Sequence, residues 1–229
     1  LEGTSALDSV LLRLPNTLIL MIITTILTFA VGIFLGLLAS LYHNSNKDRF
    51  IMLFAVAGYS MPTFVVGLLL VLFFSIQLGW LPSAGSGTWK HYIMPILTMT
   101  IVEAAIFARF TRSAMLEVLY QPYIKTALAK GLTWWQAVRR HALPNASIPI
   151  VTICGFWIGL IIAGAVITES VFGWPGIGRL LVYSVKHRDY NVVQVIVMFI
   201  SCSMVVTNLT IDLVYGWLDP RVSLARGEE

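Results

Sequence analysis

Charge is what this 229-residue sequence has least of: Asp, Glu, Lys and Arg together make up 11% of it, against about 25% in soluble domains. That scarcity excludes a solvated globular chain. Cysteine is nearly missing as well. Cys154 and Cys202 both lie inside apolar runs, so they read as small buried hydrophobes and not as a disulfide or a metal pair. No H-E-x-x-H, Walker P-loop, G-x-S-x-G or C-x-x-C occurs, which leaves no reactive constellation to carry catalysis. His43, His91, His141 and His187 are scattered over loops without ligand spacing. Residues 1–13, with Glu2, Asp8 and Arg13, lack the basic-then-apolar pattern of a secretory leader. No internal repeat is visible.

What is present is grease in long runs. Hydrophobic residues make up 58% of the chain, the mean hydropathy is +0.84, and the apolar residues cluster in stretches of the roughly 20 residues that cross a bilayer as a helix. The runs are continuous rather than alternating, which argues for helices and against a barrel. Five spans are expected, at about Thr17 to Tyr42, Phe50 to Leu78, Tyr92 to Met115, Ala146 to Thr168 and Val192 to Tyr215. The first contains Gly32-Ile33-Phe34-Leu35-Gly36, a small-xxx-small motif that lets another helix approach. The second is interrupted by Gly58-Tyr59-Ser60-Met61-Pro62, where proline should kink it. The fourth is rich in small residues and should pack inside a bundle. Glu169 to Tyr190 reads as a loop.

Orientation follows from the cations. The loop at 43–49, the interval from Arg109 to Arg140 and the tail hold ten of the fifteen Lys and Arg residues, and the opposite side holds Arg13, Lys90, Arg179, Lys186 and Arg188. The richer side is cytoplasmic. The net charge of +4 thus reports topology, with no nucleic acid implied. The chain then divides into an extracytoplasmic segment at 1–16, a transmembrane domain at 17–217, and a cytoplasmic tail at 218–229. Five spans place residue 1 outside, which suggests a further span upstream of it.

The polar interval at 120–144 stands apart from the rest. Lys125, Lys130, Arg139, Arg140 and His141 lie along it, and Tyr120, Tyr123, Ile124, Ala127, Leu128, Gly131, Trp135 and Val138 recur at intervals of three and four, as on one face of an amphipathic helix. Pro122 suits a helix start, and Gly131 permits a break midway. Periodicity alone fits two occupants of the cytoplasmic side equally: the cleft of a partner protein, or an anionic lipid surface.

Here the residues become specific. Lys125-Thr126-Ala127, three residues, Gly131, nine residues, then His141-Ala142-Leu143-Pro144 resembles the E-A-A…G…I-x-L-P loop of ATP-binding-cassette (ABC) importer permeases. The leading Glu is replaced by Lys125, a departure typical of the dipeptide, oligopeptide and nickel branch. W-L-P at 80–82, A-R-F-T-R-S-A-M-L-E-V-L at 108–119, E-S-V-F-G-W-P-G-I-G-R-L at 169–180, R-D-Y at 188–190 and L-D-P-R at 218–221 resemble the same branch in the same order. Permeases of this branch begin with one more span, in agreement with the charge argument.

The resemblance implies an all-α, polytopic transmembrane bundle of the type I ABC importer kind. It would be a non-catalytic subunit of a bacterial-type inner membrane, with a cytoplasmic C-terminus and a cytoplasmic coupling helix. Its implied partners are a second homologous permease, two cytoplasmic ABC ATPases and an extracytoplasmic substrate-binding protein, besides lipid. ATP and Mg would bind to the ATPases, and no cofactor or metal to this chain. The coupling contact implied is Tyr123, Lys125, Thr126, Ala127, Lys130, Gly131 and Leu132, with His141, Leu143 and Pro144 completing the motif. Glu103 is a candidate for the translocation pathway, and Glu169 with Trp174-Pro175-Gly176 for the outer mouth. The solute is left open among dipeptides, longer peptides, glutathione and nickel chelates. The rival reading, a self-sufficient channel or ion-coupled carrier, needs facing mid-membrane charges or half-helices in duplicated halves. A membrane enzyme would need a converging reactive cluster.

Overall fold

The computed structural model describes residues 5–218, apart from the side chains of 158–164 and 211–218; the expected tail and its L-D-P-R motif fall outside all but Leu218 of that range. Among the described residues nine α-helices follow one another: α1 (Ala6–Leu41), α2 (Asn46–Ser60), α3 (Thr63–Leu70), α4 (Lys90–Leu119), α5 (Pro122–Ala129), α6 (Trp134–Ala137), α7 (Leu143–Val171), α8 (Ile177–Lys186) and α9 (Tyr190–Leu218). The helix α3 continues as a π-helical stretch over Val71–Gln77, and another joins α6 to α7 over Val138–Ala142. No strand occurs among the described residues.

Three helices, α1, α4 and α9, are long and apolar enough to cross a membrane, and α2 with α3 forms a bent pair that makes a fourth. The fifth helix of crossing length is α7, with 29 residues and no charged residue between Ala146 and Thr168. The bend between α2 and α3 is 101°, far beyond a kink. Pro62 is the N-cap of α3, and its missing N–H ends the α2 ladder there.

α1 begins eleven residues before the expected Thr17. The Ser5 hydroxyl accepts the Asp8 N–H at 3.0 Å and caps the helix. At about 1.5 Å per residue its 36 residues span roughly 54 Å, well over the ~30 Å of hydrocarbon. The surplus is at the N-terminal end, where Val10 joins Ile177, Leu180, Val192 and Ile196 in one apolar cluster. The expected 169–190 loop is therefore largely the helix α8, which buries Ile177, Leu180 and Ser184 and exposes Arg179, Tyr183 and Val185.

α1 and α4 run in the same direction in fixed register. Leu20 clusters with Ile96, Met21 with Met99, and Thr28 bonds Glu103 at 3.3 Å. Gly32 then lies against Phe107 and Ala104, and Gly36 against Thr111 and Ala108. A Cβ on Gly36 would stand 2.5 Å from Thr111 Cβ and 2.6 Å from the Ala108 carbonyl oxygen, so the small-xxx-small motif is the seam of this pair. α2 lies along α4 in the opposite sense, with Asp48 bonded to Arg112 and Gly58 beside Ala105 and Ile101. α3 packs on both α4 and α7, and Gly67 meets Phe172 and Val171 at the end of α7.

Candidate functional site: the inner coupling segment and the outer turn

α4 ends at Leu119, and Pro122 opens α5 at its first turn. Ile124 is 1% exposed and enters a cluster with Met115, Val138, Ala142, Ala146 and Ile150. That contact pins α5 under the inner ends of α4 and α7. Ala127, expected both on the apolar face and in the coupling contact, is also buried, at 6% exposure. It is part of the floor on which the segment rests. Tyr123, Lys125, Thr126, Lys130 and Gly131 are exposed, and Leu132 is half-buried.

The segment is two helices and not one. The Gly131 N–H donates to Leu128 O at 2.9 Å and the Leu132 N–H to Ala127 O at 3.3 Å, the paired bonds of a Schellman C-cap. Gly131 sits at φ +91°, where glycine is uniquely at ease. Thr133 restarts the chain with a capping box: its hydroxyl accepts the Gln136 N–H, and its own N–H donates to Gln136 Oε1 at 2.9 Å. This turn breaks the helical phase, so Trp135, counted by periodicity on the apolar face, is 57% exposed. Trp134 is exposed beside it, as are Arg139 and Arg140. His141 and Leu143 are half-buried, Leu143 against the Ile124 cluster. Pro144 is exposed in the first turn of α7.

Above this segment sits an ion pair that the sequence reading did not single out. Arg112 donates from Nε to Asp48 Oδ1 at 2.7 Å and from Nη2 to Asp48 Oδ2 at 2.8 Å, a two-pronged geometry. Asp48 Oδ2 also accepts the Asn44 N–H at 3.0 Å and lies 3.2 Å from His43 Nδ1. The His43 ring meets the Tyr120 ring edge-on, 6.3 Å between centroids. Asp48 precedes the apolar run that opens at Phe50. The detectable signal was Ser45-Asn46-Lys47-Asp48, a helix-start pattern; its Arg partner lies 64 residues away.

At the outer end the residues expected at a mouth are knotted together inside the chain. Glu169 belongs to the last turn of α7 and is fully buried. Its Oε1 accepts the Thr17 hydroxyl at 2.6 Å, and its Oε2 accepts the N–H groups of Gly178 and Arg179 at 2.7 and 3.1 Å. A carboxylate thus occupies the electropositive start of α8. Thr17 Oγ1 accepts the Ile177 N–H at 2.9 Å. Trp174, also fully buried, donates from Nε1 to Asn16 O at 3.2 Å and packs against Tyr92 at 4.4 Å between centroids. Pro175 O accepts Asn16 Nδ2 at 3.1 Å. A Cβ on Gly176 would overlap the Glu169 carboxylate, so the turn closes only with glycine there. Asn16 and Thr17 were the partners missed, polar residues at the opening of an apolar run.

Glu103 faces α1, bonded to Thr28 and 8% exposed. Within this chain it is a polar contact between α1 and α4.

Comparison with known proteins gives this architecture a family. Residues 32–224 match the binding-protein-dependent transport system inner membrane component family. The glutathione transport system permease protein GsiC of Escherichia coli K12 is 41% identical over 215 residues, covering 94% of this chain and 70% of that protein. GsiC of Shigella flexneri serotype 5b is 40% identical over the same shares. Among solved structures, an inward-facing MetNI methionine ABC transporter chain superposes with a TM-score of 0.75 at 19% identity, covering 91% of this chain and 95% of that one. A chain of an amino acid ABC transporter with histidines gives 0.68 at 19%, covering 88% and 93%. These two share the fold. A bundle of apolar helices with a basic, two-helix inner segment, matched along most of its length, belongs to the binding-protein-dependent transport system inner membrane components: the chain is a permease subunit of an ABC importer, a multi-pass protein of the inner membrane.

Proposed function

We propose that this permease forms half of a translocation pathway for peptide-like solutes, glutathione first among those to test, beside a second permease of its family. Two cytoplasmic ATPases bind ATP and Mg and drive it, a substrate-binding protein delivers the solute from outside, and the chain itself holds no cofactor. Its C-terminus is cytoplasmic. The observation that carries the proposal is α5 with its glycine cap. One face is anchored by Ile124, and the other presents Tyr123, Lys125, Thr126, Lys130 and Gly131 at the inner surface. Such a face fits a helix-in-groove contact on an ATPase, and rigid swinging of the attached helices follows from ATPase closure. His141, Leu143 and Pro144 set the angle at which this segment joins α7. The glutathione assignment rests on the 41%-identical relative.

The test is reconstitution of the whole assembly in proteoliposomes with glutathione and small peptides. Nothing in the chain lies within 4 Å of a Cβ placed on Gly131, so a side chain there disturbs a partner and not the bundle. Leaving φ +91° to an L-residue costs roughly 1–2 kcal/mol, and a carboxylate adds its charge at the contact. Gly131→Asp is expected to lower solute-stimulated ATP hydrolysis at least tenfold, about 1.4 kcal/mol or more, with Gly131→Asn milder. Uptake by this chain without any ATPase would overturn the proposal.

A further inference from the structure

We infer that the Asp48–Arg112 ion pair is a transmission joint: it fastens α2 to the helix that carries the coupling segment, so that displacement of the segment is expressed at the 101° break between α2 and α3. The inference rests on the coupling reading of α5 given above.

Three observations carry it. First, Arg112 lies on α4 eight residues before Tyr120, about 12 Å along the helix, and α5 follows directly. Second, α1 and α4 are already joined along their length through Gly32 and Gly36, whereas α2 lies on α4 through Gly58 beside Ala105 and Tyr59 under Arg109 near the break, and through Asp48 on Arg112 at the other end. The ion pair is thus what holds the inner end of α2. Third, it is built as a fixed joint. Asp48 is 3% exposed. It is bonded by two guanidinium nitrogens and by the Asn44 N–H. Asn44 takes a left-handed φ of 63° to aim that N–H. His43 bridges the pair to Tyr120, the first residue of the segment, through Arg112 Nη2 at 3.1 Å and the edge-on ring contact. A buried, forked pair has one geometry, and so it transmits movement rather than absorbing it.

Beyond the break the chain packs on α7 as well as on α4. α3 packs through Gly67 on Phe172 and Val171, at the end of α7 where the Glu169 knot holds the outer turn. With the joint intact, the ends of α2 and α4 nearest the coupling segment move together, and the Met61–Pro62 corner is where that movement is taken up. With the joint cut, α5 still meets its ATPase, but the movement fades before it reaches the corner. Asp48 and Arg112 are positioning residues; neither is placed in the ATPase contact.

The experiment uses the full reconstituted importer and reads ATP hydrolysis and solute uptake separately. For Asp48→Asn and for Arg112→Lys, which keeps the charge but loses the fork, solute-stimulated hydrolysis stays within about twofold while uptake per ATP falls about tenfold, a magnitude usual for coupling between sites. A second arm restores the tie covalently: Asp48→Cys/Arg112→Cys, bridged by a short bismaleimide in a Cys154→Ala/Cys202→Ala background, recovers uptake per ATP relative to the unbridged form. Loss of hydrolysis and uptake in parallel, no change in either, or no recovery on bridging would each overturn the inference. Failure of the coupling reading itself would look different, since the unsubstituted chain would then retain no ATPase at all.

Discussion

Glu169→Ala is expected to lower the thermal midpoint of the detergent-solubilised protein by about 10–20 °C, at roughly 2–4 °C per kcal/mol for a chain of this size. The carboxylate is fully buried and accepts from the Thr17 hydroxyl and from the Gly178 and Arg179 N–H groups. Its removal orphans all three donors where water cannot replace it. Each unpaired buried donor costs roughly 1–3 kcal/mol, and together they come to about 5 kcal/mol, a large share of any domain's stability. Glu169→Gln should fall between the two, because its amide oxygen can still accept while its NH₂ would point at donors. A melting curve of Glu169→Ala that overlays the wild type would show that the knot contributes nothing to holding α1, α7 and α8.

The second large effect is expected at Gly36. Gly36→Ala adds a Cβ 2.6 Å from a backbone oxygen on α4, and no rotamer relieves a clash with backbone. The α1–α4 pair must separate locally, so overpacking should cost about 3 kcal/mol or more, visible as lower yield and a lower midpoint. Gly87→Ala is the matched control. It lies in the connector with nothing within 4 Å of its would-be Cβ, and should stay within about 0.5 kcal/mol of wild type. Equal behaviour of the two variants would mean that the glycine seam is not a close approach.

The parts of this protein that the sequence made legible are those written in runs and spacing. Apolar stretches marked the long helices, the Gly32/Gly36 repeat marked the α1–α4 seam, Pro62 marked the break, and the 125–144 spacing marked the segment and its family. What stayed hidden depends on partners distant in sequence. Asp48 meets Arg112 across 64 residues, and Thr17 meets Glu169 across 152. No local pattern announces such pairs, so Glu169 read as a mouth residue and Asp48 went unremarked. Periodicity also failed across Gly131. A count of three and four assumes one unbroken helix; before the Schellman turn it holds, with Ile124 and Ala127 inside, and beyond it the phase is reset, so Trp135 went outside. Helix α8 was taken for a loop because it is only ten residues long, set between Trp174-Pro175-Gly176 and His187-Arg188-Asp189.

The corner at Met61–Pro62 has a consequence for where this chain can stand in its surroundings. The last carbonyls of α2 have no donor within their own helix, and Tyr59 and Met61 around them are about half exposed. Hydrocarbon tails offer such groups nothing, and each left bare there costs several kcal/mol. The elbow is therefore barred from the lipid-facing rim and must abut either water or another polypeptide.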